Sequence, residues 1–185
     1  MQDYRININY AKALFLLAMD SQMLDAVAND ARLVNDVCSE NHELNTVFSN
    51  PVIKEAKKIA IITDLFQNHV SKLTMLFLQF VVRKKRSVNL KGITSAYLDL
   101  YRDSKNVILS KFTSVNEIGE DTVVLVKKIV TEYTGKEVEL DVCQDSRLKG
   151  GFTLEFDNNM YDASLRTKFL RLRRAFEENV YQSKM

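Results

Sequence analysis

The chain has 185 residues, enough for one large domain or for two small ones that each bury a core. Hydrophobic residues make up 46% and charged residues 27%, and the formal net charge of +2 is far from the basic excess of a dedicated nucleic-acid-binding protein. The two cysteines, Cys38 and Cys143, lie far apart without CxxC spacing, which argues against a metal framework and favours buried free thiols in a reducing compartment over a disulfide.

The first predicted helix contains the apolar run AKALFLLAM, residues 11–19. This run resembles the core of a signal peptide, but Asp3 weakens any basic leader, Asp20 follows directly, and no small-residue cleavage site appears. The longest other apolar run, residues 75–82, is far shorter than the roughly 20 residues that span a bilayer. We therefore expect a retained helix and no membrane-spanning segment.

Six consecutive helices are predicted for the first part of the chain. Apolar residues recur there at steps of three and four, and no segment keeps the alternation of a strand. The predicted helices cover residues 10–20, 23–38, 42–48, 54–67, 72–84 and 88–101. Polar breaks separate them, and Pro51, the only proline, stands where a helix is expected to start. The pattern predicts an N-terminal six-helix bundle, residues 1–105.

The period changes after residue 101. A strand is predicted for residues 106–115, an amphipathic helix for 120–135, and further strands for 137–142, 152–156 and 160–162. A DNN turn joins the last two strands. This half, residues 106–185, reads as a small C-terminal α/β domain with a short sheet, so the predicted fold class is α+β with a boundary between residues 103 and 106.

A terminal basic amphipathic helix is predicted from YDASLRTKFLRLRR, residues 161–174. Its apolar residues fall at steps of four, three and four and form one stripe: Leu165, Phe169, Leu172 and Phe176. Either Asp162 or Ser164 can cap its start. We expect the stripe to pack into the domain and the arginines to rim it, an arrangement that fits an interface with acidic helices and simple solvation equally well.

No catalytic constellation is present in the sequence. The motifs GxxxxGK[ST], GxGxxG, HExxH and GxSxG are absent, and His42 and His69 fall at predicted helix boundaries where surface or capping roles are usual. Gly150-Gly151 precedes a strand rather than a helix, which favours backbone accommodation over phosphate binding. The run RKKR, residues 83–86, suits a helix C-terminus better than a nucleic acid. We predict a non-catalytic protein without cofactor or metal.

Three stretches of the sequence resemble one known family. They are YAKALF at residues 10–15, FSNPVI at 48–53 and LKGGFTLEFDNNMYDASLRTKFLRLRR at 148–174. In order and spacing they resemble the delta subunit of the bacterial F-type ATP synthase, whose mitochondrial relative is the oligomycin sensitivity-conferring protein. The most specific part is a structural motif composed of Gly150, Gly151, Asp162, Ser164 and Leu172.

The resemblance implies a stator component that catalyses nothing itself. In that family an N-terminal six-helix domain holds amphipathic N-terminal helices of the alpha subunits of the catalytic head, and the C-terminal domain meets the far end of the peripheral-stalk b subunits. For this chain it implies that residues 1–105 contact the head and residues 106–185 contact the stalk. Holding the head against the rotor couples proton-driven rotation to ATP synthesis.

Two explanations fit the unusually apolar helices one and five. Each is apolar around most of its circumference, which is more than one core face requires. Either both are fully buried in the bundle, or part of each lines a groove. The resemblance favours a groove for the head, with the following predicted contact residues: Tyr10, Ala11, Leu14, Phe15, Ala18, Leu73, Leu76, Phe77 and Phe80. The predicted stalk contacts are Arg166, Arg171 and Arg174.

A nucleic-acid-binding or regulatory adaptor that uses the basic helix is the alternative function. The near balance of acidic and basic residues disfavours it. The resemblance instead implies a peripheral protein at the cytoplasmic face of the bacterial inner membrane, associated with the membrane only through its complex and bound to no nucleic acid.

Overall fold

A computed structural model of the chain describes residues 2–116, 118–157 and 159–178. The chain divides between Ser104 and Lys105 into two compact units. The first unit is helical and the second combines helices with a mixed sheet, so the fold class is α+β. Within the described ranges, none of the helices has both the length and the apolar character needed to cross a bilayer.

Helices follow one another through the first unit, joined by short turns. They are α1 (Gln2–Asp20), α2 (Leu24–Glu40), α3 (His42–Ser49), α4 (Glu55–Phe66), α5 (Lys72–Arg83) and α6 (Leu90–Lys105), with a short 3-10 helix (Ser87–Asn89) before α6. The prediction of a helix start at Pro51 is wrong. Pro51 lies in a turn, to which its fixed φ is equally suited, and α4 begins at Glu55.

Buried polar side chains fix two helix ends in this unit. The carboxylate of Asp30, on α2, accepts hydrogen bonds from the Ser71 backbone N–H at 2.9 Å and from Thr74 Oγ1 at 2.7 Å, so it caps the start of α5 from a neighbouring helix. The ammonium of Lys58 and the hydroxyl of Ser87 each donate to the Phe48 carbonyl at 2.7 Å. These bonds satisfy one of the orphan carbonyls at the end of α3.

All six helices contribute side chains to the core of the first unit. Tyr97, at its centre, is fully buried, and its hydroxyl donates to the Leu24 carbonyl at 3.3 Å. Burial, which disfavours the phenolate, raises the pKa of Tyr97 to about 12. Cys38 is a buried free thiol as predicted, whereas Cys143 in the second unit is free but only half-buried.

The second unit is built on a four-stranded mixed sheet in the order β2-β1-β3-β4. Its elements are β1 (Val107–Ser114), α7 (Glu120–Thr134), β2 (Glu137–Gln144), a short 3-10 helix (Ser146–Leu148), β3 (Phe152–Phe156), β4 (Asn159–Asp162) and α8 (Leu165–Glu178). Strands β1 and β2 are parallel and are joined through α7, while β1–β3 and β3–β4 are antiparallel. Gly135 ends α7 in the left-handed conformation with φ 68°.

The core of the second unit is much smaller. Alternate β1 side chains, Ile108 and Phe112, face Val126 and Val130 of α7, and Leu154 of β3 completes the buried cluster. Helix α7 is thus the element that covers this face of the sheet. Apolar side chains that α7 does not cover remain exposed.

Candidate interaction surfaces

An open apolar groove of about 660 Å³ runs between α1 and α5 in the first unit. Its lining residues are Asn9, Tyr10, Ala13, Leu17, Leu73, Leu76, Phe77 and Phe80. On α1 the groove residues Tyr10, Ala13 and Leu17 fall at steps of three and four, so they share one helix face. Leu76 is 67% exposed and Phe80 is 46% exposed. The explanation that both helices are fully buried is therefore wrong.

Of the predicted contact residues on α1, only one lines the groove. Tyr10 lines it, but Ala11, Leu14 and Ala18 are buried in the core of the unit. Phe15 is half-buried and packs near Tyr97, with ring centroids 6.2 Å apart. These four residues lie on the core side of α1. The sequence does not distinguish this side from the groove side, because the helix is apolar around most of its circumference.

The α5 wall contains the predicted residues. Leu73, Leu76, Phe77 and Phe80 all line the groove, and Phe77 is buried at its floor. Across the groove, the rings of Tyr10 and Phe80 lie 6.2 Å apart between centroids. Because the groove is apolar and open along two helices, it can bind the apolar face of an amphipathic helix.

The Gly-Gly segment of the second unit packs against the start of α8. Gly150 and Gly151 have φ values of 133° and 81°, in the region that favours glycine. A Cβ on Gly151 would collide with the carbonyl oxygen of Ala163. The carbonyl of Gly150 accepts a hydrogen bond from the Leu165 backbone N–H at 3.0 Å. The two glycines thus permit the close backbone approach that positions α8.

Asp162 and Ser164 together cap α8. Asp162 accepts from the Ser164 backbone N–H at 2.8 Å and from Thr167 Oγ1 at 2.7 Å, while the buried Ser164 Oγ accepts from the Thr167 N–H at 3.3 Å. The hydrogen bonds from Ser164 and Thr167 hold the pKa of Asp162 below its usual range. Four of the five residues of the predicted motif therefore come together at one junction.

Leu172, the fifth residue of that motif, lies away from the junction. Its position contradicts the expectation that the apolar stripe of α8 packs into the domain. Leu172 is 54% exposed and Phe169 is 66% exposed, and Leu165 and Phe176 are exposed as well. Apart from Leu165, whose side chain lies against Gly150, the apolar stripe of α8 therefore does not pack into the second unit. Its periodicity correctly indicated an amphipathic helix, but the described part of the chain provides no element that covers the stripe.

The predicted stalk-contacting arginines, Arg166, Arg171 and Arg174, are all exposed on α8. Between Lys168 and Phe176 every side chain of the helix is exposed. Apolar and basic side chains are thus presented together, and this combination suits a partner with an apolar stripe and acidic flanks.

A second apolar groove, of about 620 Å³, lies between α7 and the β3–β4 side of the sheet, and the sequence analysis missed it. The exposed apolar side chains along it are Leu125, Ile129, Tyr133, Met160 and Tyr161. The available signal was the paired apolar positions 125–126 and 129–130, which give α7 an apolar face wider than the small core needs. Tyr133 is 75% exposed, with its ring edge-on to Phe156.

Among the described residues, no group of three His, Cys, Asp or Glu side chains could hold a metal ion. Both lowered carboxylate pKa values have local structural causes: Asp162 caps α8, and Asp145 accepts hydrogen bonds from the backbone and side chain of Arg147.

Comparison with known proteins gives matches along nearly the whole chain. Residues 6–176 match the profile of the family described as ATP synthase delta (OSCP) subunit. The chain is 32% identical over 180 residues to the ATP synthase subunit delta of Cytophaga hutchinsonii, covering 97% of this chain and 98% of that protein. It is 31% identical over 172 residues to the subunit delta of Phocaeicola vulgatus, covering 92% and 93%.

The fold also matches a solved structure. A chain in the cryo-EM structure of the Toxoplasma gondii mitochondrial ATP synthase hexamer superposes with a TM-score of 0.73 over 92% of this chain and 97% of that chain. The sequence identity is 18%, so this match bears on the fold.

Proposed function

The chain belongs to the ATP synthase delta (OSCP) family, and from that premise we propose that its two units bind the catalytic head and the peripheral stalk through separate apolar surfaces. As a delta (OSCP) subunit of F-type ATP synthase, it is a non-catalytic stator component that links the head to the stalk. The nucleic-acid-binding or regulatory alternative finds no support in these matches.

The α1–α5 groove is the surface that we assign to the head. The six helices act as one bundle, residues 1–105, whose core fixes α1 and α5 and leaves their outer faces free for an amphipathic N-terminal helix of an alpha subunit. The observation that carries this assignment is the exposure of Leu17, Leu76 and Phe80 in a single groove, because soluble proteins seldom leave such a continuous apolar surface without a partner.

The C-terminal domain, residues 106–185, is the part that we assign to the b subunits of the stalk. The support is its exposed apolar surface, both on the basic terminal helix α8 and in the α7 groove, beside a core of only a few side chains. Arg166, Arg171 and Arg174 add positive charge to α8. The subunit then reaches the cytoplasmic face of the bacterial inner membrane only as part of the complex.

Titration calorimetry on the full-length chain tests the assignment of the head. We expect a peptide from the alpha-subunit N-terminus to bind with a Kd of about 1 μM, roughly −8 kcal/mol. Leu76→Asp should abolish the heat of binding, because it places a charge in the apolar groove. Leu125→Asp, a matched change in the second unit, should leave it unchanged. Equal binding by the Leu76→Asp variant would refute the groove.

A further inference from the structure

The apolar stripe of α8 has the spacing of a coiled-coil seam. With Leu165 and Leu172 at d positions, Phe169 and Phe176 fall at a positions, so the four residues follow a strict a/d pattern. Such a stripe is narrower than the apolar face of a helix that lies on a membrane. The 14 residues of α8 extend about 21 Å and offer two heptads.

The same register assigns the basic side chains to two groups. Arg166 and Arg173 occupy e positions and Lys168 a g position, so all three flank the seam. Arg171 and Arg174 occupy c and f positions, on the far side of the helix. All five are exposed. The residues that would face a bound helix are therefore basic on both flanks.

We propose that α8 pairs through this seam with an acidic heptad helix of a partner protein, one with apolar a and d positions and Glu or Asp at e and g. The inference rests on the proposed stalk function of the second unit and narrows its contact to Phe169, Leu172, Arg166 and Lys168. Of the three arginines predicted to contact the stalk, only Arg166 then touches the partner helix. A second copy of α8 is the wrong partner. In a parallel pair Lys168 would face the other copy's Arg173, and in an antiparallel pair basic flanks would again meet.

Fluorescence anisotropy with the full-length chain at ~150 mM salt tests the pairing. The probe is a labelled three-heptad peptide with Leu at a and d and Glu at e and g; the control peptide has Lys in place of Glu. We expect the acidic peptide to bind with a Kd of about 1 μM and the basic one at least about tenfold more weakly. Phe169→Ser with Leu172→Ser should abolish binding of the acidic peptide.

Two charge-reversal variants distinguish the seam from general electrostatic attraction. Arg166→Glu with Lys168→Glu should reverse the preference between the two peptides, whereas Arg171→Glu with Arg174→Glu changes the net charge equally and should weaken binding less than about threefold. An equal loss of acidic-peptide binding in both double variants would overturn the proposal. So would binding to anionic lipid vesicles without binding to either peptide.

A b-subunit fragment distinguishes failure of this inference from failure of the proposed function. If the fragment binds the chain and loses binding in the Phe169→Ser, Leu172→Ser variant, the seam is supported. If it binds that variant as tightly as the original but loses binding with Ile129→Ser in the α7 groove, the seam is wrong and the stalk function stands. If the fragment does not bind the chain at all, the stalk function itself is refuted.

Discussion

Among the described residues, the first unit buries more of its large apolar side chains than it exposes, whereas the second unit exposes more than it buries. In the first, all six helices supply a shared core, and one apolar groove opens between α1 and α5. In the second, α7 covers one face of the sheet over a small cluster, and apolar side chains remain exposed on α7, β4 and α8. The difference shows that apolar periodicity indicates which residues share a face, while the number of neighbouring elements decides whether that face is covered.

The largest effect on stability is expected when a residue on the core face of α1, rather than on its groove face, is replaced. Leu14→Ala should lower the free energy of unfolding by about 2–5 kcal/mol, because Leu14 is buried in the core. Leu17→Ala, one turn along and exposed in the groove, should change it by less than about 0.5 kcal/mol and instead weaken binding of the alpha-subunit peptide. Urea unfolding and calorimetry measure the two quantities. A larger loss of stability for Leu17→Ala than for Leu14→Ala would contradict the assignment of the two faces.

A smaller effect is expected where the second unit positions α8. Gly151→Ser should destabilise this unit by about 1–3 kcal/mol, because the residue has φ 81° and its Cβ would meet the Ala163 carbonyl. Gly119→Ser is the matched control, since Gly119 has φ −68° and open space around it. Thermal unfolding followed by circular dichroism compares them. Equal shifts in Tm would show that the Gly151 contact is unimportant.

The cap of α8 should make a pH-dependent contribution. The pKa of Asp162 is lowered in the folded state, so its stabilising effect is present above the unfolded-state pKa and is lost as pH falls through the folded-state value. Asp162→Asn should therefore approach the original chain in stability as the pH falls from about 5 to about 2. Unfolding measured across this range checks it. A difference in stability that does not vary with pH would contradict the role of the carboxylate.

The smallest effect is expected for Leu172→Asp. A packed stripe would make this change unfold the second unit, but Leu172 is exposed, so we expect a cost of less than about 1 kcal/mol. Binding of the stalk fragment should nevertheless fall. Urea unfolding and anisotropy measure the two effects. Cooperative unfolding of the second unit in the variant would show that the stripe packs within the chain.

Local patterns predicted the elements well because they depend on neighbours in sequence. The change of period after residue 101 and the termination of α7 at Gly135 both agree with the structure. The site was predicted less completely. The four predicted α5 residues line the groove, but three predicted α1 residues lie in the core, since the rotation of an almost wholly apolar helix is set by packing against distant helices. Exposure of Leu172 and the α7 groove likewise depends on which elements the fold places nearby.

We propose that one chain binds the head and the stalk at the same time through different units. Size-exclusion chromatography of heads stripped of this subunit, mixed with a b-subunit fragment, tests it directly. We predict that the fragment elutes with the heads only when the chain is added, that Leu76→Asp releases the chain and fragment together, and that Phe169→Ser with Leu172→Ser releases the fragment alone. Displacement of the chain from the heads by the fragment would contradict the claim, because it would mean that both partners compete for one surface.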